Sequence, residues 1–239
     1  YIDYILTAAR RAVNLTGGLL AFSRRQAMEL RPHNVNDIIY TMKGMLERLL
    51  TEDIVLMTEI SDIDLVVMAD EAQLSQVLIN LATNARDSMP SGGKIFIKTS
   101  KFVMDDGFVE RNAFGNKGDY ALVSFSDTGT GIEKDAINKV FEPFFTTKEV
   151  GKGTGLGLAI VYGIVEQHKG YINVFSEQGK GTTFNIYVPL VGIETKTVSG
   201  TEEIIMGGNE TILIAEDNEE VRTLTKTILE DKGYKVLDA

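Results

Sequence analysis

GKGTGLGLAI, residues 151–160, sets glycine at alternate positions, Gly151, Gly153, Gly155 and Gly157, and runs at once into an apolar helical pattern. Glycines at that density ahead of a helix let backbone N–H groups approach an anion, where the helix N-terminus adds partial positive charge. Spacing excludes three familiar phosphate loops. A Walker loop needs Gly-Lys followed by Ser or Thr, whereas Lys152 is followed by Gly153. The dinucleotide fingerprint fails because position 156 is Leu and the preceding FEPFFTTKEV (141–150) is no strand–turn. The protein-kinase loop fails on the same spacing and has no V-A-I-K partner.

The chain has 239 residues, 44% hydrophobic and 24% charged, with four prolines, which reads as one or two soluble domains. No apolar run approaches the roughly 18 residues of a membrane span, and no signal peptide opens the chain. Cysteine is absent, so disulfides and thiolate metal sites are excluded and a cytoplasmic setting is expected. A net charge of −10 argues against nucleic acid or anionic lipid as partner. A phosphate site must therefore be built locally from amides, a metal ion and one or two lysines. Residue 1 falls inside a helical pattern with no cap before it, and GYKVLDA (233–239) stops just after a strand-like run, so a fragment of a longer chain is expected.

Residues 2–30 carry a narrow helical seam, which needs a partner helix, and Arg31-Pro32 is its expected stop. From Asn36 to Leu190 helices and strands alternate as in an α+β sheet with helices on one face. Helices are expected at 37–50, 71–89 and 156–169. Strands are expected at 54–60 and 64–69 as a pair, at 94–104 and 119–127, and at 171–177 and 181–190 as a hairpin. DDGFVERNAFGNKG (105–118) reads as a loop. Residues 191–209 are polar and non-periodic, a linker, and 210–239 opens a new β–α–β pattern.

Three stretches carry chemistry besides the glycine run. Gln73, Asn80, Asn84 and Asp87 share one stripe of the 71–89 helix, with Val77, Leu78, Leu81 and Ala85 around them. An asparagine oxygen there is a suitable hard ligand for Mg²⁺, which shares its remaining positions with waters and phosphates. In SFSDTGTGI (124–132) a strand delivers Asp127 into a turn where Gly129 and Gly131 leave room for a flat base. In FEPFFTTK (141–148), Phe141, Phe144 and Phe145 suggest a hydrophobic latch for a hinged flap, and Lys148 offers a phosphate a point charge.

Taken in order, QLSQVLINLATNARD, DTGTGI, FEPFFTTK, GTGLGLAIV and GTTF resemble the five nucleotide-binding boxes of the ATP-binding catalytic domain of sensor histidine kinases, over about 36–190. The resemblance implies an α/β sandwich holding Mg-ATP between helices under a glycine lid. By that resemblance Asn84 is the magnesium-binding asparagine and Asn80 lies beside it near the phosphates. Asp127 specifies adenine, with Gly129 and Gly131 against the base. Gly153, Gly155, Leu156, Gly157 and Leu158 line the phosphates, and Thr182 or Thr183 joins the adenine pocket. Lys148 and Asp87 complete the ATP-binding set, although some relatives carry a basic residue at the position of Asp87.

The flanks resemble the same class of protein. Residues 1–31 look like the second helix of a dimerisation and phosphotransfer hairpin, which implies a homodimer. Residues 210–239 look like the start of a receiver domain with Glu216 and Asp217 as its acidic metal-binding pair, which implies a hybrid kinase and a phosphorelay to a receiver or response regulator. Neither His33 nor His168 stands where the phosphoacceptor would be, so the fragment is expected to bind ATP without phosphorylating itself. Two alternatives are a nucleotide-binding or dimerisation module without phosphotransfer, and a gyrase- or heat-shock-type ATPase. The latter would need an acidic residue where this chain has Asn80.

Overall fold

β1 (Arg31–Asn34) passes into α1 (Val35–Leu49) at Asn34, whose side chain caps the helix by accepting the Asn36 N–H at 3.1 Å. This computed structural model describes residues 28–112, 114–148, 153–191, 210–215, 219–231 and 233–238. The chain divides into two compact units, 1–192 and 193–239. In the first, α1 is followed by β2 (Ile54–Glu59), β3 (Val66–Ala69), α2 (Glu71–Ser88), β4 (Gly93–Met104), α3 (Asp106–Asn112) and β5 (Gly118–Asp127). Then come α4 (Lys134–Ile137), α5 (Gly157–Gln167), β6 (Tyr171–Glu177) and β7 (Gly181–Pro189).

The fold is the expected α+β arrangement: a five-stranded sheet in the order β2-β4-β5-β7-β6 with α1, α2 and α5 against one face, while α3 packs on the other. Ile38, Ile39, Met42 and Leu46 of α1 and Leu74, Val77, Leu78, Leu81 and Ala85 of α2 recur every three or four residues and are buried. They meet Ile95, Ile97, Val123, Phe125, Phe184, Ile186 and Val188 of the sheet, and Val161, Ile164 and Val165 of α5 join the same core. Asp70 caps α2 by accepting the Gln73 N–H, and the helix stops before Pro90.

Strand pairing departs from the sequence reading. β2 and β3 do not pair with each other: β2 runs parallel to β4, and β3 pairs antiparallel with β1. The cause is Asn36, whose Nδ2 donates to the carbonyls of Ser61 and Ile63 and whose Oδ1 accepts from Thr99 Oγ1. Thr99 in turn accepts the Ser61 N–H, so the connection between β2 and β3 is held open instead of folding as a hairpin. The helix expected to reach residue 30 is not continued in the described part, where residues 28–30 have no regular structure and Arg31, Pro32 and His33 lie in β1. Residues 1–27 lie outside the described residues.

The segment read as a loop contains α3. Asp105 accepts the Phe108 N–H at 2.7 Å and starts it, and Phe108 packs edge-on to Phe102 while Phe114 packs edge-on to Phe108. With Tyr120, Tyr171 and Tyr187 these rings form a second cluster on the sheet face away from α1, α2 and α5.

The second unit contains β8 (Thr211–Ile214), α6 (Glu219–Asp231) and β9 (Lys235–Asp238), with β8 and β9 parallel as a crossover through a helix requires. Among the described residues no helix is long and apolar enough to cross a membrane.

Candidate functional site

Asp127 ends β5 on the helix-facing side and is 8% exposed. Its Oδ1 accepts the Gly129 N–H at 2.8 Å, with the Ser88 hydroxyl at 3.5 Å. Burial pushes the carboxyl above the ordinary aspartate range, against the opposing pull of the Gly129 and Thr182 N–H groups and Ser88. Thr182 stands opposite Asp127 in the β5–β7 register and is buried. Thr183 turns to the other face, where its hydroxyl meets Ser126 Oγ at 2.9 Å. Of the two threonines, Thr182 shares the face of Asp127 and Thr183 the opposite one.

The turn after Asp127 has no space for side chains at its two glycines. A Cβ at Gly129 would run into the Ser88 hydroxyl, and one at Gly131, whose φ is +70°, into the Glu177 carbonyl. Gly179 N–H donates to Thr130 O at 2.8 Å, fastening this turn to the β6–β7 hairpin. An open cleft of about 440 Å³ lies here, lined in part by Asp127, Ile137, Ser176 and Thr182.

α2 carries the site away from Asp127. Ser88, Asn84 and Asn80 are spaced one turn apart, so they line one side of the helix over roughly 12 Å. Asn80 Nδ2 donates to Gly157 O at 3.3 Å, and the Asn84 carboxamide lies where a Cβ on Gly157 would be 3.6 Å away. Gly157 is the first residue of α5, whose N-terminus has no side-chain cap and no acidic residue in its first turn. Leu156 is buried and Leu158 packs on the core, so the amides between them are anchored beside the two asparagines. Gln73, at the far end of the stripe, belongs elsewhere, its Nε2 donating to Asp70 in the α2 cap.

Lys148 reaches the same side of α2, where its Nζ meets Asp87 Oδ2 at 2.6 Å; Arg86 holds the other oxygen at 3.1 Å. Burial alone would raise the Asp87 carboxyl, but the hydrogen bonds and charges of Lys148 and Arg86 outweigh it and hold it below the usual range. Gly153 lies against Thr146 and the Lys148 stem.

Two of the three phenylalanines have different surroundings. Phe141 packs on Tyr162 and Phe184, whereas Phe144 is 56% exposed and donates its N–H to Gly155 O at 2.9 Å. Gly151 lies outside the described residues, as do Glu216 and Asp217. Among the described residues no group of three or more His, Cys, Asp and Glu could hold a metal.

His168 is buried; its Nε2 accepts the Asp70 N–H at 3.0 Å and its Nδ1 faces Ile164 O at 2.7 Å. Both ring nitrogens are occupied by this tie between the end of α5 and the start of α2. The sequence reading passes over Ser88, which continues the asparagine stripe by one turn and is findable on that ground, and Ser176, which gives no local signal; it names His168 but not its tie to Asp70.

A family model of histidine kinase-, DNA gyrase B- and HSP90-like ATPases matches residues 69–192. The chain belongs to this family. The match spans α2, the Asp127 turn, α5 and the β6–β7 hairpin, all the elements that build the site. Sensor kinase CckA of Brucella abortus (strain 2308) is 41% identical over 240 residues, covering 97% of this chain and 25% of that protein. The chain therefore spans about a quarter of that relative's length. Among solved structures, the catalytic domain of histidine kinase ThkA is 32% identical with a TM-score of 0.55, covering 68% of this chain and 97% of that one. ThkA in complex with the response regulator protein TrrA gives 27% identity and a TM-score of 0.61, covering 80% of this chain and 51% of that one. The shared region is the ATPase catalytic domain of sensor histidine kinases.

Proposed function

We propose that this chain binds Mg-ATP along α2 and serves as the catalytic part of a sensor histidine kinase, passing the γ-phosphoryl group to a histidine on a helical hairpin. The observation that carries this reading is the juxtaposition of Asn80 and Asn84 with Gly157 at the uncapped start of α5, one helical stretch away from buried Asp127. The roughly 12 Å between Ser88 and Asn80 suits a nucleoside at one end and its phosphates at the other.

Asp127 and Thr182 would hold the adenine edge, with Gly129 and Gly131 against its face. The amides of Gly157 and Leu158 would receive the phosphates, with Gly153, Gly155 and Leu156 in the loop before them and Lys148 as the nearby cation. The residues fit a magnesium ion that arrives with the phosphates. Asn84 supplies one hard oxygen, and no carboxylate cluster competes for the metal among the described residues. Such an ion would neutralise charge on the transferring group.

Transfer forms a bond from an imidazole nitrogen to the γ-phosphorus and breaks that phosphorus's bond to the bridging oxygen, leaving ADP. The chain's contribution is position and electrostatics. His168 is excluded as acceptor because both nitrogens are engaged in the interior. In this reading residues 1–31 pair two chains and 210–239 begin a receiver domain, with Glu216 and Asp217 in its acidic pair. Residues 36–190 are the catalytic domain and 191–209 the linker. A response regulator is the alternative recipient, as TrrA is the partner in the ThkA complex.

The test supplies the protein with γ-labelled ATP, Mg²⁺ and a separately expressed histidine-bearing hairpin from a sensor kinase. Acid-labile label on the hairpin histidine is expected. Nucleotide binding without any transfer would reduce the proposal to a binding module, and no binding would overturn it.

A further inference from the structure

Ser176 lies on β6, opposite Thr182 in the β6–β7 register, and its hydroxyl is the meeting point of three hydrogen bonds. It donates to Gly181 O at 2.9 Å, lies 2.9 Å from Thr182 Oγ1, and accepts the Ile132 N–H at 2.8 Å. A hydroxyl has one proton, and a carbonyl oxygen can only accept. The Ser176 proton is therefore committed to Gly181, and the bond between the two hydroxyls must use the proton of Thr182.

This proton count has a consequence beside Asp127. No other hydrogen bond reaches the Thr182 hydroxyl among the described residues, so its oxygen retains lone pairs only. Asp127 is an acceptor when ionised. Ser88, the other hydroxyl there, lies 2.8 Å from Ala85 O and 3.5 Å from Asp127 Oδ1, so its one proton makes its shorter bond to Ala85 and only a long approach to Asp127. The end of the site around Asp127 thus offers acceptors on Asp127 and Thr182, while the hydroxyl protons of Ser88, Ser176 and Thr182 are all directed at protein atoms. The bond from Ile132 also ties the 129–132 turn to β6, a second fastening beside that of Gly179 to Thr130.

We propose that Ser176 is a specificity-determining positioning residue. By taking the Thr182 proton and holding the 129–132 turn, it makes this end of the site accept a purine bearing an exocyclic amino group and reject one bearing a carbonyl there. The inference rests on the reading of Asp127 and Thr182 as the purine end.

Calorimetric titration with Mg²⁺ and non-hydrolysable analogues of ATP and GTP tests it, on the wild type and Ser176→Ala. The variant is expected to lose about tenfold in affinity for the ATP analogue, the effect of one misdirected hydrogen bond, while the GTP analogue binds no more weakly than before. Ser176→Thr, which keeps the hydroxyl, is expected to restore the preference. In nucleotide-free protein the Ile132 amide should lose hydrogen-exchange protection in Ser176→Ala only. An unchanged ATP-to-GTP ratio, or equal losses for both nucleotides, overturns the proposal while leaving nucleotide binding intact. Should Ser176→Ala not fold, Thr182→Val carries the test, since it removes the same acceptor; an unchanged ratio there is equally fatal. A wild type that binds neither analogue overturns both this inference and the site reading beneath it.

Discussion

Replacing Asp127 by Asn separates two effects of one carboxylate. In the nucleotide-free protein the amide oxygen can keep the 2.8 Å bond from Gly129 N–H and the longer approach of Ser88. What it removes is the buried charge. Burial raises the folded-state pKa of Asp127, so its favourable contribution is complete below the ordinary aspartate range and is lost as pH rises through the raised folded value. The Asn variant does not titrate. It is therefore expected to melt at a higher temperature than the wild type at neutral pH, with the gap closing as pH falls toward about 4.

Nucleotide binding should move the other way. An adenine amino group would lose a charged acceptor, worth about 1.5–3 kcal/mol, which is roughly a 10- to 150-fold loss in affinity. The new amide NH₂ can also donate to a purine carbonyl, so the loss should be smaller for GTP. Calorimetric melting from pH 4 to 8 at fixed ionic strength, with titration calorimetry at neutral pH, measures both effects. The reasoning fails if the variant is the less stable protein at neutral pH, if the gap narrows as pH rises, or if ATP affinity stays within about twofold.

Gly181→Ala should destabilise by about 2–4 kcal/mol in urea titration, because φ is +109° and the new methyl would overlap Asp127 O; a loss under about 1 kcal/mol would contradict this. His168→Phe leaves the Asp70 N–H without its partner and should cost about 1–3 kcal/mol by the same measurement. Lys148→Met removes a pair whose side chains are 33% and 30% exposed, so no more than about 1 kcal/mol of stability is at stake, fading as salt screens it. Because the Asp87 carboxyl is lowered, that contribution is present above the ordinary carboxylate pKa and disappears as pH falls through the lowered one, which melts of both proteins at pH 3 and 7 would show.

The parts of the site visible in the sequence are those set by local geometry. Asn80 and Asn84 are readable because helical spacing puts them in one stripe, and Asp127 with Gly129 because a strand ends in a turn whose glycine positions have no room for a side chain. The β1–β3 pairing was not readable, since it depends on Asn36 meeting Thr99 across 63 residues and keeping the β2–β3 connection open. α3 was missed for a related reason: seven residues are too few to display a helical period, and its rings find Phe102 and Tyr187 only after the sheet has formed.

The two threonines show the same division most sharply. Local sequence treats Thr182 and Thr183 as equivalent, yet successive strand residues point to opposite faces and a one-residue slip would exchange them. What selects Thr182 is a row across three strands, Asp127 opposite Thr182 and Thr182 opposite Ser176, with Ser126 and Thr183 paired on the reverse face. Register in such a row is maintained by the whole sheet, including Phe125 opposite Phe184 in the core. On the proposed reading of this site, the hydrogen-bonding pattern offered to a base is therefore a property of strand register rather than of any one box of sequence. Substitutions that loosen the β5–β7–β6 register should alter base selectivity even when Asp127 and Thr182 are intact.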